Sequence, residues 1–312
     1  MHLSAAGHST GGHGVAIFFV LSGFLITTRL ADEKHRNGSI SLVKFYIRRF
    51  FRLMPCAWLY LLFIFVITLS DQHRDATTRG ILGSIFFIRN YVFRGATNHS
   101  LTTHFWSLSI EEQFYIIWPS VLIFADLKLA RWVAVTGAFA VALYRYLNWT
   151  NLESHVPLTT GTHVRADALL VGCAVALFLP DIKVYLRPWM SIPLLAGMML
   201  CGVKYHVLIP LHESLMIGSL LAVTSVCNSG AIGHVLNWKP LALIGTLSYG
   251  IYMWQEFFMV LIRNSGSLTY PLWILLVPVA LASYYRIEKP LIERGRRLAS
   301  TFKTDQAIPA CR

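Results

Sequence analysis

Charge is scarce in this chain. Asp, Glu, Lys and Arg make up 13% of its 312 residues, about half the share of an ordinary soluble domain. Too few charged groups exist to coat a water-facing exterior, so a soluble globular protein is excluded. Cysteine pairing is missing as well. The five cysteines, Cys56, Cys173, Cys201, Cys227 and Cys311, show no Cys-x-x-Cys spacing, and four fall in or beside apolar runs. They read as small buried hydrophobes, with no zinc or disulfide framework indicated. No P-loop, dinucleotide fingerprint or zinc motif appears. The paired halves that many transporters carry are not visible either.

Long apolar runs are what the chain has in abundance. Apolar residues reach 55% and the mean hydropathy is +0.55. The runs cover 14–31, 53–69, 105–125, 131–147, 165–180, 189–203, 211–228, 241–262 and 270–287. Each is near the roughly 17–25 residues that a spanning helix needs. The pattern predicts an all-α, polytopic transmembrane helix bundle with nine visible spans.

The formal net charge is +12, but the basic residues sit in short connections between apolar runs. They read as orientation signals, with no nucleic-acid patch. Arg29, Lys34, Arg36, Lys44, Arg48, Arg49 and Arg52 crowd the first connection, which places it in the cytoplasm by the positive-inside rule. Lys128/Arg131, Lys183/Arg187, Lys239 and the segment holding Arg294, Arg296, Arg297 and Lys303 fall on the same side, provided the Gly80–Gly95 stretch does not cross. That stretch carries Arg89, Asn90 and Arg94 and is expected to be re-entrant or interfacial. A crossing there would invert every later loop.

On this scheme the chain starts outside, with three histidines, His2, His8 and His13, ahead of the first span. No signal peptide precedes that span, and the simplest expectation is that one N-terminal helix is missing. The outer face also collects His104, Glu111, Glu112, His155, His163, Arg165 and Asp167, while the inner face collects arginines. Two chemically different faces suggest a reaction that joins something inside to something outside.

The stretch from His104 to Pro119 is the most informative. It runs a histidine and two adjacent carboxylates into an apolar span, where an ionisable group is expensive and is a functional candidate by default. Glu111 and Glu112 point about 100° apart on a helix and cannot share one role. Arg165 and Asp167, two residues apart, diverge likewise, so a mutual salt bridge is not expected. Arg49 and Arg52 share a helix face, with Arg48 beside them, in a compact cationic cluster. Guanidinium forks match phosphate oxygens, although basic residues beside a span also bind anionic lipids. Trp118, Trp132, Trp149 and Trp238, near the ends of runs, fit an interfacial belt.

Taken together, these blocks resemble acyltransferase family 3, polytopic membrane O-acyltransferases that decorate bacterial surface glycans and some small molecules. Gly14–Ile26 resembles the family's second helix, and Phe45–Pro55 its Arg-rich cytoplasmic motif. Phe105–Pro119 matches its Trp-Ser-Leu-x-x-Glu segment, Arg165–Gly172 its Arg-x-Asp block, and Glu288-Lys-Pro290 its closing Glu-x-Pro. His2 lies twelve positions before Gly14, where the family's catalytic histidine stands. The arginine that precedes it in the family is absent, and Gln255 stands where the family usually has histidine.

The resemblance implies transfer of an acyl group, most often acetyl, from cytoplasmic acetyl-CoA to a hydroxyl of an exported glycan or lipid-linked saccharide. His2 would be the general base and Glu111 its support. Arg48, Arg49 and Arg52 would bind the donor, while Arg165, Asp167, Trp106 and Ser107 would contact the acceptor. No metal is implied, and no nucleic acid. The expected setting is the bacterial cytoplasmic membrane, with lipids as neighbours. Residues 1–297 would form the transmembrane domain and 298–312 a short polar cytoplasmic tail, with no soluble esterase-like domain after it. A secondary transporter and an inactive truncated acyltransferase compete with this reading.

Overall fold

The computed structural model describes residues 9–69, 74–92, 101–148, 160–200, 209–227, 231–265 and 269–302. These residues are helical, with turns between helices and no strand among them. The helices are α1 (Ser9–Asn37), α2 (Leu42–Ile67), α3 (Arg74–Ile85), α4 (Phe105–Phe124), α5 (Leu127–Leu147), α6 (Thr162–Arg165) and α7 (Asp167–Ile182). They continue with α8 (Ser191–Leu200), α9 (Ile209–Val226), α10 (Ala231–Leu236), α11 (Lys239–Ser265), α12 (Thr269–Ser283) and α13 (Lys289–Thr301). A π-helical turn, Tyr284–Glu288, joins the last two. Among the described residues, three helices are long and apolar enough to cross a membrane: His13–Asn37, Leu42–Ile67 and Leu127–Leu147.

The chain divides into two compact units, residues 1–38 with 110–237, and residues 39–109 with 238–312. In the first, side-chain bonds and contacts fix the relative directions of α1, α4, α5, α7 and α9. Ser22 of α1 donates to Glu111 of α4. Further along both helices Trp118 Nε1 donates to Thr27 Oγ1 at 2.8 Å. At their ends Lys34 Nζ donates to the carbonyls of Leu122 and Ala125 at 2.6 and 2.8 Å. Contacts that advance together mean that α1 and α4 run parallel. Lys34 also satisfies carbonyls that the last turn of α4 leaves open, placing a cation at the negative end of the helix dipole.

Helix α5 turns back at once, its start capped by Asp126, which accepts from the Leu129 amide at 2.6 Å. It packs antiparallel to α7: Arg131 meets Asp181 at 2.6 Å at one end, and Arg145 meets Asp167 at 2.7 Å at the other. Helix α9 runs with α1, since His13 touches Glu213 and Val20 touches Gly218. Thus α1, α4, α7 and α9 all begin at one end of this unit. We call it the head end.

Glycine sets the closest approach. A Cβ on Gly23 would lie 2.0 Å from the Leu169 carbonyl oxygen, and one on Gly172 would lie 2.1 Å from that of Val20. The backbones of α1 and α7 therefore touch where only hydrogen fits.

In the second unit α2 runs parallel to α11, with Tyr249 donating to the Leu53 carbonyl at 2.7 Å and Tyr60 meeting the Trp254 ring at 5.5 Å. A Cβ on Gly295 of α13 would lie 2.5 Å from Phe51 Cβ, so α13 lies against the start of α2. The Gly80–Gly95 stretch is described as far as Val92: it closes α3, then turns at Phe87 with φ 53°. At 12 residues, α3 is about 18 Å long against a hydrocarbon core of about 30 Å.

Cys56 and Cys173 are buried and Cys227 half-buried, all as free thiols. The belt assignment of Trp118 is corrected: it is 2% exposed, stacked on Phe114 and bonded to Thr27. Its indole hydrogen had a partner inside the unit, so it packs there. Trp132 and Trp238 are exposed as a belt requires, and Trp149 lies outside the described residues.

Candidate functional site

The head end of the first unit gathers polar groups on four helices. Glu111, in the second turn of α4, is 2% exposed. Its carboxylate accepts from Ser22 of α1 and from Tyr115, one turn further along its own helix. Glu112 is half-buried, so the two adjacent glutamates do part company as their 100° separation requires. Gln113, the next residue, accepts from Thr162 Oγ1 of α6 at 2.5 Å.

Asp167 takes its place in the buried ion pair with Arg145, whose other nitrogen donates to the Val164 carbonyl at 2.6 Å. Both side chains are at most 3% exposed. Arg165, half-buried beside them, lies within electrostatic reach of Arg145, Asp167 and Glu213. Glu213, at the head of α9, is bonded to His13 Nδ1 at 2.5 Å. His2 lies outside the described residues, as do His8 and His155.

Sequence reasoning did not single out Ser22, Tyr115, Arg145 or Glu213. Tyr115 had a signal, since it stands four residues after Glu111 on the same helix. Arg145 stood out as a cation near the end of an apolar run. Nothing local distinguished Glu213 from any acidic residue ahead of a span.

The second unit holds the other candidates. Arg48 and Arg52 are exposed and Arg49 half-buried on the first turns of α2. Below them a buried carboxylate, Glu288, accepts from Ser283 at 3.0 Å, and Ser283 in turn meets Cys56 at 3.5 Å. Arg52, one turn before Cys56, feels the Glu288 charge. Trp106 is half-buried, and Ser107 is buried 2.5 Å from the Tyr252 hydroxyl. Tyr252 also donates to the His104 carbonyl at 2.7 Å.

His104, just ahead of α4, is enclosed by the rings of Tyr60, Phe105 and Tyr252 at 4.8 to 5.5 Å. Both of its ring nitrogens are buried without a partner among the described residues. Burial, helped by the Arg89 guanidinium, pushes its pKa down to about 3. Arg89 is itself 1% exposed and donates to Thr102 at 3.1 Å. The imidazole is therefore neutral at physiological pH. A cavity of about 420 Å³ between α2 and α3, lined by Trp58, Leu61, Phe65, Ile81 and Leu82, touches none of these groups.

The head end of the first unit thus holds buried carboxylates and cations, and α2 carries an arginine cluster. Comparison with known proteins gives the family. Residues 3–285 match the acyltransferase family 3 profile, described as "Acyltransferase domain", and the chain belongs to that family. Among its relatives is the peptidoglycan O-acetyltransferase OatA of Listeria monocytogenes serovar 1/2a, 30% identical over 94% of this chain and 53% of that protein. The O-acetyltransferase OatA of Staphylococcus aureus is 26% identical over 94% of this chain and 55% of its own length. YrhL of Bacillus subtilis (strain 168) is 29% identical over 95% and 53%. The chain thus spans about half the length of the curated relatives it matches. No solved structure matches it.

Proposed function

We propose that this protein is a membrane O-acetyltransferase that moves an acetyl group from acetyl-CoA on the cytoplasmic side to a hydroxyl of an exported glycan or lipid-linked saccharide. Membership of the family and the names of its relatives support the reaction class and a glycan acceptor. The reading extends to nine crossings of the bacterial cytoplasmic membrane. The parallel course of α1 and α4 favours that topology: α2 alone returns the chain to its starting side, and a second crossing at residues 80–95 would undo the return.

A sugar hydroxyl is a weak nucleophile at neutral pH, so a base must take its proton as oxygen attacks the thioester carbon. The roles are a histidine and a supporting glutamate, for which the resemblance nominates His2 and Glu111. Arg165 stabilises the oxyanion that develops on the acyl carbonyl. Trp106 and Ser107 are assigned to the acceptor. Asp167, held by Arg145, keeps the Arg165 turn in position. Arg48, Arg49 and Arg52 bind the phosphates of the donor.

The observation that carries the proposal is Glu111: a carboxylate buried in an apolar helix, held by Ser22 and Tyr115, within the family's own motif. Purified protein in lipid nanodiscs, given acetyl-labelled acetyl-CoA and a short glycan of alternating N-acetylglucosamine and N-acetylmuramic acid, should form a base-labile labelled ester. Glu111→Gln should lower that rate at least about 100-fold. Solute uptake without label transfer would instead support a transporter, and an unlabelled glycan without uptake an inactive acyltransferase.

A further inference from the structure

The cavity between α2 and α3 has a use of its own. Its side walls are the exposed apolar residues Trp58, Leu62 and Phe65 of α2 and Leu82 and Ile85 of α3, and its floor is the buried pair Leu61 and Ile81. On each helix the wall residues recur at helical spacing, so two apolar stripes face one another. The volume of about 420 Å³ falls within the roughly 300–1,000 Å³ of sites that take a small molecule. In a bilayer, walls of this kind gain dispersion contacts from a hydrocarbon chain lying between them.

Which lipid supplies the chain is decided by its head group, because one hydrocarbon tail is about as apolar as another. Residues 68–73 alone join α2 to α3, so the joined end of the cavity is the one near Thr78, and exposed Arg79 stands beside it. A guanidinium there matches a phosphate. On the orientation proposed above that end faces outward, and α3, about 18 Å long, stops near the middle of the bilayer. The cavity then belongs to the outer leaflet, on the side of the acceptor. It also adjoins the acceptor residues within the second unit. Leu61 and Ile81 share one core with Phe105 and Leu108, which flank Trp106 and Ser107. Tyr60, the neighbour of Leu61, meets the rings of His104 and Phe105 at 5.2 and 6.0 Å. Helix α2, about 10 Å across, is thus all that separates the cavity from that group.

We infer that the α2–α3 cavity holds the hydrocarbon chain of the acceptor, a saccharide joined through phosphate to a lipid in the outer leaflet, with Arg79 against the phosphate. The inference rests on the acyl-transfer reading and narrows it: the saccharide is modified while still attached to its lipid, and the chain in the cavity holds it within one helix of Trp106 and Ser107.

The test gives the full chain in nanodiscs labelled acetyl-CoA and one of two acceptors: the free disaccharide of N-acetylglucosamine and N-acetylmuramic acid, or the same disaccharide on an isoprenyl diphosphate. Leu62→Trp and Leu82→Trp fill the cavity from exposed positions. Each should raise KM for the lipid-linked acceptor about tenfold or more, by overpacking against the chain, and leave kcat/KM for the free disaccharide within about twofold. Arg79→Gln should raise the lipid-linked KM about threefold and leave the free disaccharide untouched. If the tryptophan variants do not fold, the wild-type chain carries the test: a benzophenone-bearing isoprenyl diphosphate should label α2 and α3 and be displaced by the lipid-linked disaccharide, but not by equal phosphatidylglycerol. An unchanged lipid-linked KM in the filled variants, or equal losses on both acceptors, would overturn the inference. Equal displacement by phosphatidylglycerol would also overturn it, since the cavity would then hold bulk lipid. A wild-type chain that labels neither acceptor removes the acyl-transfer reading itself, and so is distinguishable from failure of the cavity assignment alone.

Discussion

At the scale of single residues, the sharpest consequence concerns His104. Its pKa falls from an ordinary value of 6.5 to about 3 on folding, so between those values the unfolded chain binds a proton that the folded chain does not. Stability is then full above about pH 6.5 and declines as the pH drops, by about 1.4 kcal/mol per unit from this group. His104→Phe removes the titration and two unpartnered nitrogens together. The variant should show a flatter fall of unfolding midpoint between pH 7 and pH 5 than the wild type; equal slopes would mean that His104 is solvated or paired. A second consequence concerns the Arg145–Asp167 pair. Arg145→Met leaves a buried carboxylate unpaired and should destabilise the protein by about 3–5 kcal/mol. The double variant Arg145→Met with Asp167→Asn should recover most of that loss in thermal unfolding, whereas additive losses would contradict the pairing.

Legibility in the sequence was uneven at this scale, for a physical reason. Glu111 was readable because a carboxylate entering an apolar run is costly wherever it points. Its partner Tyr115 lies one helical turn away and is a local fact. Arg145 and Glu213 acquire meaning only when α5 meets α7 and α1 meets α9, contacts that no local pattern encodes. Trp118 misled because a tryptophan near the end of an apolar run reads as interfacial, although its ring belongs to the α1–α4 contact.

At the scale of elements, the account turns on how closely α1 and α7 approach. Cβ atoms at Gly23 or Gly172 would overlap facing carbonyl oxygens, both on backbone that cannot swing away. Gly172→Ala should therefore force the helices apart and cost about 1–3 kcal/mol. Gly245→Ala in α11 meets nothing within 4 Å and should be neutral or slightly stabilising, since alanine favours helix by up to about 1 kcal/mol. Comparing the two unfolding midpoints checks the contact, and equal behaviour would refute it. The second unit has a close glycine of its own: a Cβ on Gly250 would lie 3.0 Å from Glu288 Oε1 and 3.6 Å from the Ala280 carbonyl oxygen. The tight crossing at Gly23 and Gly172 escaped notice because the two glycines lie on different helices. The helices of the long apolar runs, by contrast, were legible, since such runs leave the backbone no other way to satisfy its hydrogen bonds in lipid; the short or polar α3, α10 and α13 were not.

At the scale of the whole molecule, the proposed orientation of the chain rests on basic loops and on the parallel α1 and α4. Single cysteines placed at Asn37 and Asn98, in a background with the native cysteines replaced by serine, should react with an impermeant maleimide from opposite sides of sealed membranes. Reaction from one side would mean that the 80–95 stretch crosses. Family membership was readable because its blocks occur in order along the chain, and no single block would have sufficed.

The central claim is transfer between the two sides, from a donor at the basic face to an acceptor at the other. Proteoliposomes of fixed orientation, with labelled acetyl-CoA confined to one side and the glycan to the other, test it most directly. Labelled ester should appear only when the donor is supplied on the side of the Arg48–Arg52 cluster and the glycan opposite. Label that requires donor and glycan on the same side would contradict the account.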